Sequence, residues 1–315
     1  MSRPQPSDED SLEPTSPVRI GAGSFATIYA IPGRSIVLKV AHSQDHAAQV
    51  KAEYENLHSI YTRCNSDSLF AIPRALAFYD PQVQELLFYP PSPGRGRSRQ
   101  PCKPFSPSFF SKVPPRPCYV MDRVAPLQPD VAEFIHSSMY PSAASNAPDP
   151  LLCRLYFGKQ LRPSAFINPN NFPIDVARYE LLVQHFPNDI PSIADVAAGM
   201  GEMLSRIHWN AGYDARDVEF VMAGAPDSAI TRFYILGFNQ SIKVHSFTQV
   251  NEDVTPLVDA FFSSDPYYPR PIPGDSLYEA FKRAYVRSCN PDHIPDAKLF
   301  LQAIEQRQAA RAVMV

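Results

Sequence analysis

Three residues near the amino terminus have the types and spacing to hold a phosphate group. Gly21 and Gly23 lie in the run Ile20-Gly21-Ala22-Gly23-Ser24-Phe25-Ala26, and Lys39 follows inside Ile36-Val37-Leu38-Lys39-Val40. A loop that covers phosphates needs its backbone N–H groups close to the ligand, and glycine removes the Cβ that would keep them away. Lys39 interrupts a strand of apolar residues, and a lysine drawn out of water needs a partner. Glu53 is the expected partner, with Glu55 the second choice. Ile28 is a β-branched residue on the strand after the glycines, and Met121 lies in a later alternating strand. Gly-x-Gly also closes ordinary β-turns, so the motif gains its weight from Lys39 and the helix that follows.

A second set lies in the run His208-Trp209-Asn210-Ala211-Gly212-Tyr213-Asp214-Ala215-Arg216-Asp217-Val218-Glu219-Phe220-Val221. Asp214, Asp217 and Glu219 are three carboxylates within six residues, a pattern that suits proton acceptance or metal binding. Asp217 and Glu219 share a face if a strand begins there, and Asp217 is the expected metal ligand of the three. Acidic residues in turns more often cap backbone N–H groups or pair with cations. His208 and the single Trp209 read as buried structural residues.

Stepping outward, the elements that must position these residues are legible in the pattern of apolar side chains. Three short strands cover residues 18–41. Val50, Tyr54, Leu57 and Ile60 recur at helical spacing and place Glu53 on one helix. Two strands follow at 71–79 and 85–89, then a flexible insertion at 90–117 that carries the cluster Gly94-Arg95-Gly96-Arg97-Ser98-Arg99, then a strand at 118–124. Further on, strands are expected at 151–157 and 165–167 and a helix at 174–186. Ser192 caps a buried helix containing Val196, Met200, Met203 and Ile207, and two carboxy-terminal helices cover 276–289 and 296–312.

The fold class expected is α+β. Residues 1–17 read as a disordered tail, 18–125 as a small antiparallel β lobe with one helix, and 126–315 as a larger, mainly helical lobe. The chain of 315 residues has 44% apolar and 19% charged residues, enough for a sizeable core. Lys and Arg number 29 against 32 Asp and Glu, a net charge of −3, so nothing argues for nucleic acid as a partner. Proline, at 34, outnumbers glycine, at 12, which points to long irregular connections. The five cysteines, Cys64, Cys102, Cys118, Cys153 and Cys289, contain no Cys-x-x-Cys pair, so neither zinc nor a disulfide framework is expected. No secretory leader and no apolar run of membrane length is present, and a cytoplasmic or nuclear location is the expectation.

The opening segment resembles the small lobe of a protein kinase, and the order of elements that follows is similar to the kinase order. The resemblance implies ATP with Mg²⁺ as the cofactor, with Ile28 covering the nucleobase and the backbone at the strand of Met121 meeting it. It also implies a catalytic aspartate five residues before a metal-binding asparagine, and a second metal-binding aspartate one hairpin later. With Val218–Val221 as the strand after the loop, Asp217 takes the asparagine position and Gly212 the position of the base. Gly237-Phe238-Asn239 resembles the Asp-Phe-Gly motif with Gly237 in place of its aspartate. More narrowly, the run 208–221, the segment Asp265-Pro266-Tyr267-Tyr268-Pro269-Arg270-Pro271 and the segment Leu277-Tyr278-Glu279-Ala280-Phe281-Lys282-Arg283-Ala284-Tyr285 resemble three signatures of a fungal family of unknown function. Its members are sometimes labelled zinc-finger-like, and the likeness covers roughly residues 18–310. It implies a divergent kinase-like fold, a filamentous fungus as source and an accessory role near secondary metabolism.

These readings lead to a pseudokinase-type regulatory or binding module that takes nucleotide through Gly21, Gly23 and Lys39, with an unidentified protein or small molecule as partner. The alternative is an active atypical phosphotransferase working on a small molecule or protein through Asp214, Asp217 and Glu219. A ligand-free scaffold is the third.

Overall fold

The protein is seen in a computed structural model, which describes residues 16–88, 105–162, 164, 166–225, 228–243, 253–264 and 266–313. The arginine cluster at 94–99, Cys102, Asp265 and nearly all of the amino-terminal tail lie outside the described residues. The architecture is α+β, with mostly antiparallel sheets and helices. In chain order the elements are β1 (Val18–Ala22), β2 (Ala26–Ala30), β3 (Ile36–Ala41), α1 (Ala47–Cys64), β4 (Phe70–Ala71), β5 (Ala75–Asp80), β6 (Glu85–Leu87), β7 (Cys118–Asp122), α2 (Pro129–Met139), β8 (Cys153–Tyr156), β9 (Phe172–Asp175), α3 (Val176–His185), α4 (Ile193–Arg206), β10 (Glu219–Ala225), β11 (Ser228–Leu236), α5 (Thr255–Ser263), α6 (Ser276–Arg287) and α7 (Ile294–Val313). They fall into two compact units, Met1–Lys51 with Leu76–Arg123, and Ala52–Ala75 with Val124–Val315.

The first unit is built on a six-stranded sheet of order β1-β2-β3-β7-β5-β6. Its hairpins are antiparallel, and a register shift between Arg19 and Gly21 puts a bulge at Ile20. Successive side chains on a strand face opposite ways. Leu38, Val40, Cys118 and Val120 therefore share one face, where they form a core with Ala77, Tyr79, Phe110 and Val113. Phe110 belongs to a 3-10 helix, Pro107–Lys112, and stacks on Tyr79 at 4.8 Å between ring centroids. The expected flexible insertion is thus corrected for its second half: Phe105, Phe109, Phe110 and Val113 are apolar side chains that gain by covering the sheet.

The second unit contains a five-stranded sheet of order β4-β11-β10-β8-β9 together with helices α2 to α7. The β10–β11 hairpin is antiparallel, while β4 joins β11 and β9 joins β8 in parallel. Of the strand expected at 165–167, residue 165 lies outside the described residues and 166–167 form no strand; the strand is β9, at Phe172–Asp175, with Phe172 and Ile174 buried. Helix α2, absent from the sequence reading, opens on Pro129 and buries Val131, Ala132 and Ile135. Helix α4 begins at Ser192, whose hydroxyl accepts the Asp195 N–H, and it packs along α6. At Gly201 an added Cβ would lie 2.1 Å from the Phe281 carbonyl oxygen, so only glycine permits that approach.

Residues 64–71 join the second unit through a clear set of bonds. The Arg206 guanidinium, paired with Glu202 at 2.6 Å, donates to the carbonyl oxygens of Cys64, Ser66 and Asp67, capping the end of α1. Among the described residues no helix is long and apolar enough to cross a membrane.

Candidate functional site

Sheet register brings several of the predicted residues of the first unit together. Gly21 pairs with Ile28, Ile28 with Lys39, and Lys39 with Tyr119, so these residues form one row across β1, β2, β3 and β7. Val37 pairs with Met121 on the same face of the sheet. Ile28, Lys39 and Met121 are each half-buried. This face is opposite the one filled by Phe110 and Val113. The bulge at Ile20 sets the row, since it shifts β1 by one residue and lays Gly21 opposite Ile28. Phe25 is buried, and its ring centroid lies 4.7 Å from Lys39 Nζ, a cation–π contact.

Glu53 and Glu55 belong to the part of α1 assigned to the second unit. Glu53 is buried beside Tyr54, Leu57 and Ile60, while Glu55 is exposed. Two residues on, Asn56 Nδ2 donates to the carbonyl oxygens of Phe238 and Ser241, at 3.3 and 3.1 Å.

The loop that carries the three carboxylates follows α4. A π-helical turn, Ile207–Ala211, ends at Gly212 with φ of 80°. His208 and Trp209 are buried there and both meet the Tyr285 hydroxyl at 2.8 Å. Indole N–H only donates, so the Tyr285 hydroxyl accepts from Trp209 while it also bonds His208 Nδ1. His208 is a buried structural residue, held by the Tyr285 hydroxyl.

The three carboxylates have separate tasks. Asp214 is buried, and its Oδ1 accepts the N–H groups of Arg216 and Ile242, at 3.1 and 2.9 Å. Its Oδ2 faces Arg216 Nε at 3.5 Å, and its own N–H donates to the Ile242 carbonyl. Asp217 precedes β10 rather than lying in it. Its φ is 62°, its Oδ2 accepts from Gln240 Nε2 at 3.0 Å, and its N–H donates to Ser264 Oγ at 3.1 Å. Glu219 pairs with Arg154 at 2.6 Å across β10 and β8. The expectation that Asp217 and Glu219 share a strand face is corrected, because the left-handed backbone at Asp217 turns it out of the strand. Among the described residues, no group of three or more His, Cys, Asp or Glu side chains stands together to hold a metal ion.

Gly237 closes this loop. Its φ is 84°, and an added Cβ would lie 2.4 Å from the Asp217 carbonyl oxygen and 3.1 Å from Glu219 Cγ. The seat therefore has no room for an aspartate while Asp217 and Glu219 hold their places. Phe238 beside it is buried. Sequence reasoning located Gly237 and Asp217 but missed their mutual contact, and it missed Asn56, Gln240 and Ser264, whose bonds span 23 to 185 residues of chain.

A family model, DUF3669, described as zinc finger protein, matches residues 233–291. That stretch runs from β11 through α6 and includes Gly237. A search of curated proteins finds no match to the chain. The zinc description does not fit the residues. A tetrahedral structural site takes four Cys, His or carboxylate ligands with deprotonated thiols. Residues 233–291 contain Cys289 and His245 as their only cysteine and histidine. Burial raises the Cys289 thiol to about 11, and its Sγ donates to the Asn290 carbonyl oxygen. Cys64, Cys118 and Cys153 are buried on α1, β7 and β8, and burial holds all three as thiols, the first two at about 12.

Proposed function

We propose that the chain is a nucleotide-binding module of divergent protein-kinase-like design, acting as a regulatory or binding domain and not as a phosphotransferase. The observation that carries this reading is Gly237, which occupies the place of a metal-binding aspartate with the Asp217 carbonyl 2.4 Å from its missing Cβ. Phosphoryl transfer depends on metal ions and a base that orients the nucleophile. In the loop that would supply them, Asp214 is spent on two backbone N–H groups and Glu219 on Arg154. Removing a single transition-state stabiliser costs roughly 10²–10³ in rate, so losing both groups leaves little transfer.

Binding places smaller demands on the fold. A nucleotide needs an apolar platform, a cation for its phosphates and glycines that let the backbone approach. Gly21, Ile28 and Lys39 supply these from one row of the first sheet, with Met121 on the same face and Gly23 in the turn after β1. Lys39 would hold the phosphates.

Thermal unfolding of the purified chain with ATP, ADP and GTP, each with and without Mg²⁺, tests the proposal. Ligand at about 100 times its Kd stabilises a fold by about 2.7 kcal/mol. The expected result is a rise in Tm that is independent of Mg²⁺ and lost in Lys39→Met. No rise with any nucleotide removes the binding half. Mg²⁺-dependent ATP consumption that disappears in Asp217→Ala overturns the non-catalytic half.

A further inference from the structure

In this conformation the fold makes no use of the amino-terminal glycines. A Cβ at Gly21 would meet nothing within 4 Å, and one at Gly23 would meet only the Ala26 carbonyl oxygen, at 3.9 Å. Neither residue has a positive φ. The turn they form is also closed on itself: the Gly23 N–H donates to the Ala26 carbonyl at 2.9 Å, and the His42 N–H donates to the Phe25 carbonyl at 2.8 Å. A phosphate cradle needs such N–H groups turned toward the ligand. Between those two bonds the Phe25 side chain is folded inward, only 5% exposed, with Lys39 Nζ 4.7 Å from its ring centroid. The His46 ring lies 6.3 Å away on the same side chain's flank.

We propose that Phe25 is a gate on the phosphate end of the Lys39 site. Its ring takes the face of the ammonium that a phosphate would take, and the Gly23–Ala26 bond holds the turn shut. A nucleoside di- or triphosphate enters by displacing the ring, since an anion is a stronger partner for ammonium than an aromatic face. Gly21 and Gly23 are then glycine for the open turn, where the backbone must approach the phosphates. The adenosine end of the ligand is untouched by the gate, so the effect is confined to ligands that carry phosphate. This inference rests on the nucleotide reading above.

Calorimetric titration of the full chain with ADP, inorganic tripolyphosphate and adenosine tests it, using the wild type, Phe25→Ala, Phe25→Leu and Lys39→Met. Phe25→Leu keeps most of the apolar volume and guards against a variant that fails to fold. Both Phe25 variants are expected to bind ADP and tripolyphosphate about 2- to 10-fold more tightly than the wild type, the range set by loss of one cation–π contact. Adenosine affinity stays unchanged, and Lys39→Met loses tripolyphosphate. A wild type that binds ADP as well as or better than folded Phe25 variants overturns the gate and leaves the nucleotide reading standing. No binding of ADP or tripolyphosphate by the wild type or by either Phe25 variant overturns both. Binding confined to the Phe25 variants supports the gate in its strongest form.

Discussion

At Gly21, near the end of β1, and Gly23, in the turn that follows, an added methyl group would find nothing closer than 3.9 Å, and neither backbone has the positive φ that favours glycine. At Gly237, after β11, the same group would be driven to 2.4 Å from the Asp217 carbonyl, at a φ of 84°. Both places carry glycine at a position where phosphate chemistry attracts notice, and physical explanations for the two differ. Gly237 is required by the folded state, because the loop 212–217 lies against it. The fold would accept alanine at Gly21 and Gly23, and under the proposal above the ligand-bound state is what calls for glycine there. At Gly237 the surrounding loop has closed into the space that a side chain would take.

Substitution at Gly237 is the most direct way to break this comparison. Gly237→Ala is expected to destabilise the protein by roughly 2–4 kcal/mol, from the left-handed backbone and the steric overlap together, measured by urea unfolding. A loss under 1 kcal/mol would mean that the loop yields easily and that an aspartate at 237 is accessible. Asp214→Ala comes next. It leaves the N–H groups of Arg216 and Ile242 without their acceptor, at a cost of about 1–3 kcal/mol. An unchanged midpoint would free Asp214 from its structural task and reopen it as a catalytic group.

Alkaline pH sharpens the comparison by loading both units at once. Burial raises the thiols of Cys118 in the first unit and Cys64 in the second to about 12, from an ordinary value of 9.0. Unfolded thiols ionise above 9.0 while folded ones do not, so their contribution is full below that pH and declines as pH rises toward 12. The expected loss is roughly 1 kcal/mol per thiol at pH 10, followed as the urea midpoint at pH 7, 9 and 10. A stability flat across that window contradicts the burial of these thiols. The smallest stability effect is at the amino-terminal turn: Gly21→Ala and Gly23→Ala are expected to change unfolding free energy by no more than about 0.5 kcal/mol, while weakening ADP binding. Destabilisation as large as that at Gly237 would erase the distinction between the two regions.

Much of this was readable from local pattern. Helix α1 follows from Val50, Tyr54, Leu57 and Ile60, all buried as their spacing requires. Ser192 at the start of α4 and the burial of Val196, Met200 and Met203 follow from capping and periodicity. The separation of Glu53 from Glu55 was legible too, since only the former shares the apolar stripe. The 3-10 helix at Pro107–Lys112 was obscured by its prolines and serines, which resemble linker composition until Phe110 finds the sheet. β9 was displaced in the reading because a four-residue strand has too little pattern to fix its position.

Residue types and short-range spacing alone determined helices α1, α3, α4, α6 and α7, the glycine turn, the lysine among apolar neighbours and the absence of an Asp at 237, because these depend on interactions a few residues apart. Tertiary structure alone decided three things. The bulge at Ile20 set the register that aligns Gly21, Ile28 and Lys39, and register depends on strand pairing across the sheet. The bonds of Asn56, Gln240 and Ser264 tied down the carboxylate loop from distant segments. The approach of Asp217 to Gly237 turned an apparent vacancy in a motif into a filled contact, because packing distances between separate loops are set only once the chain has closed on itself.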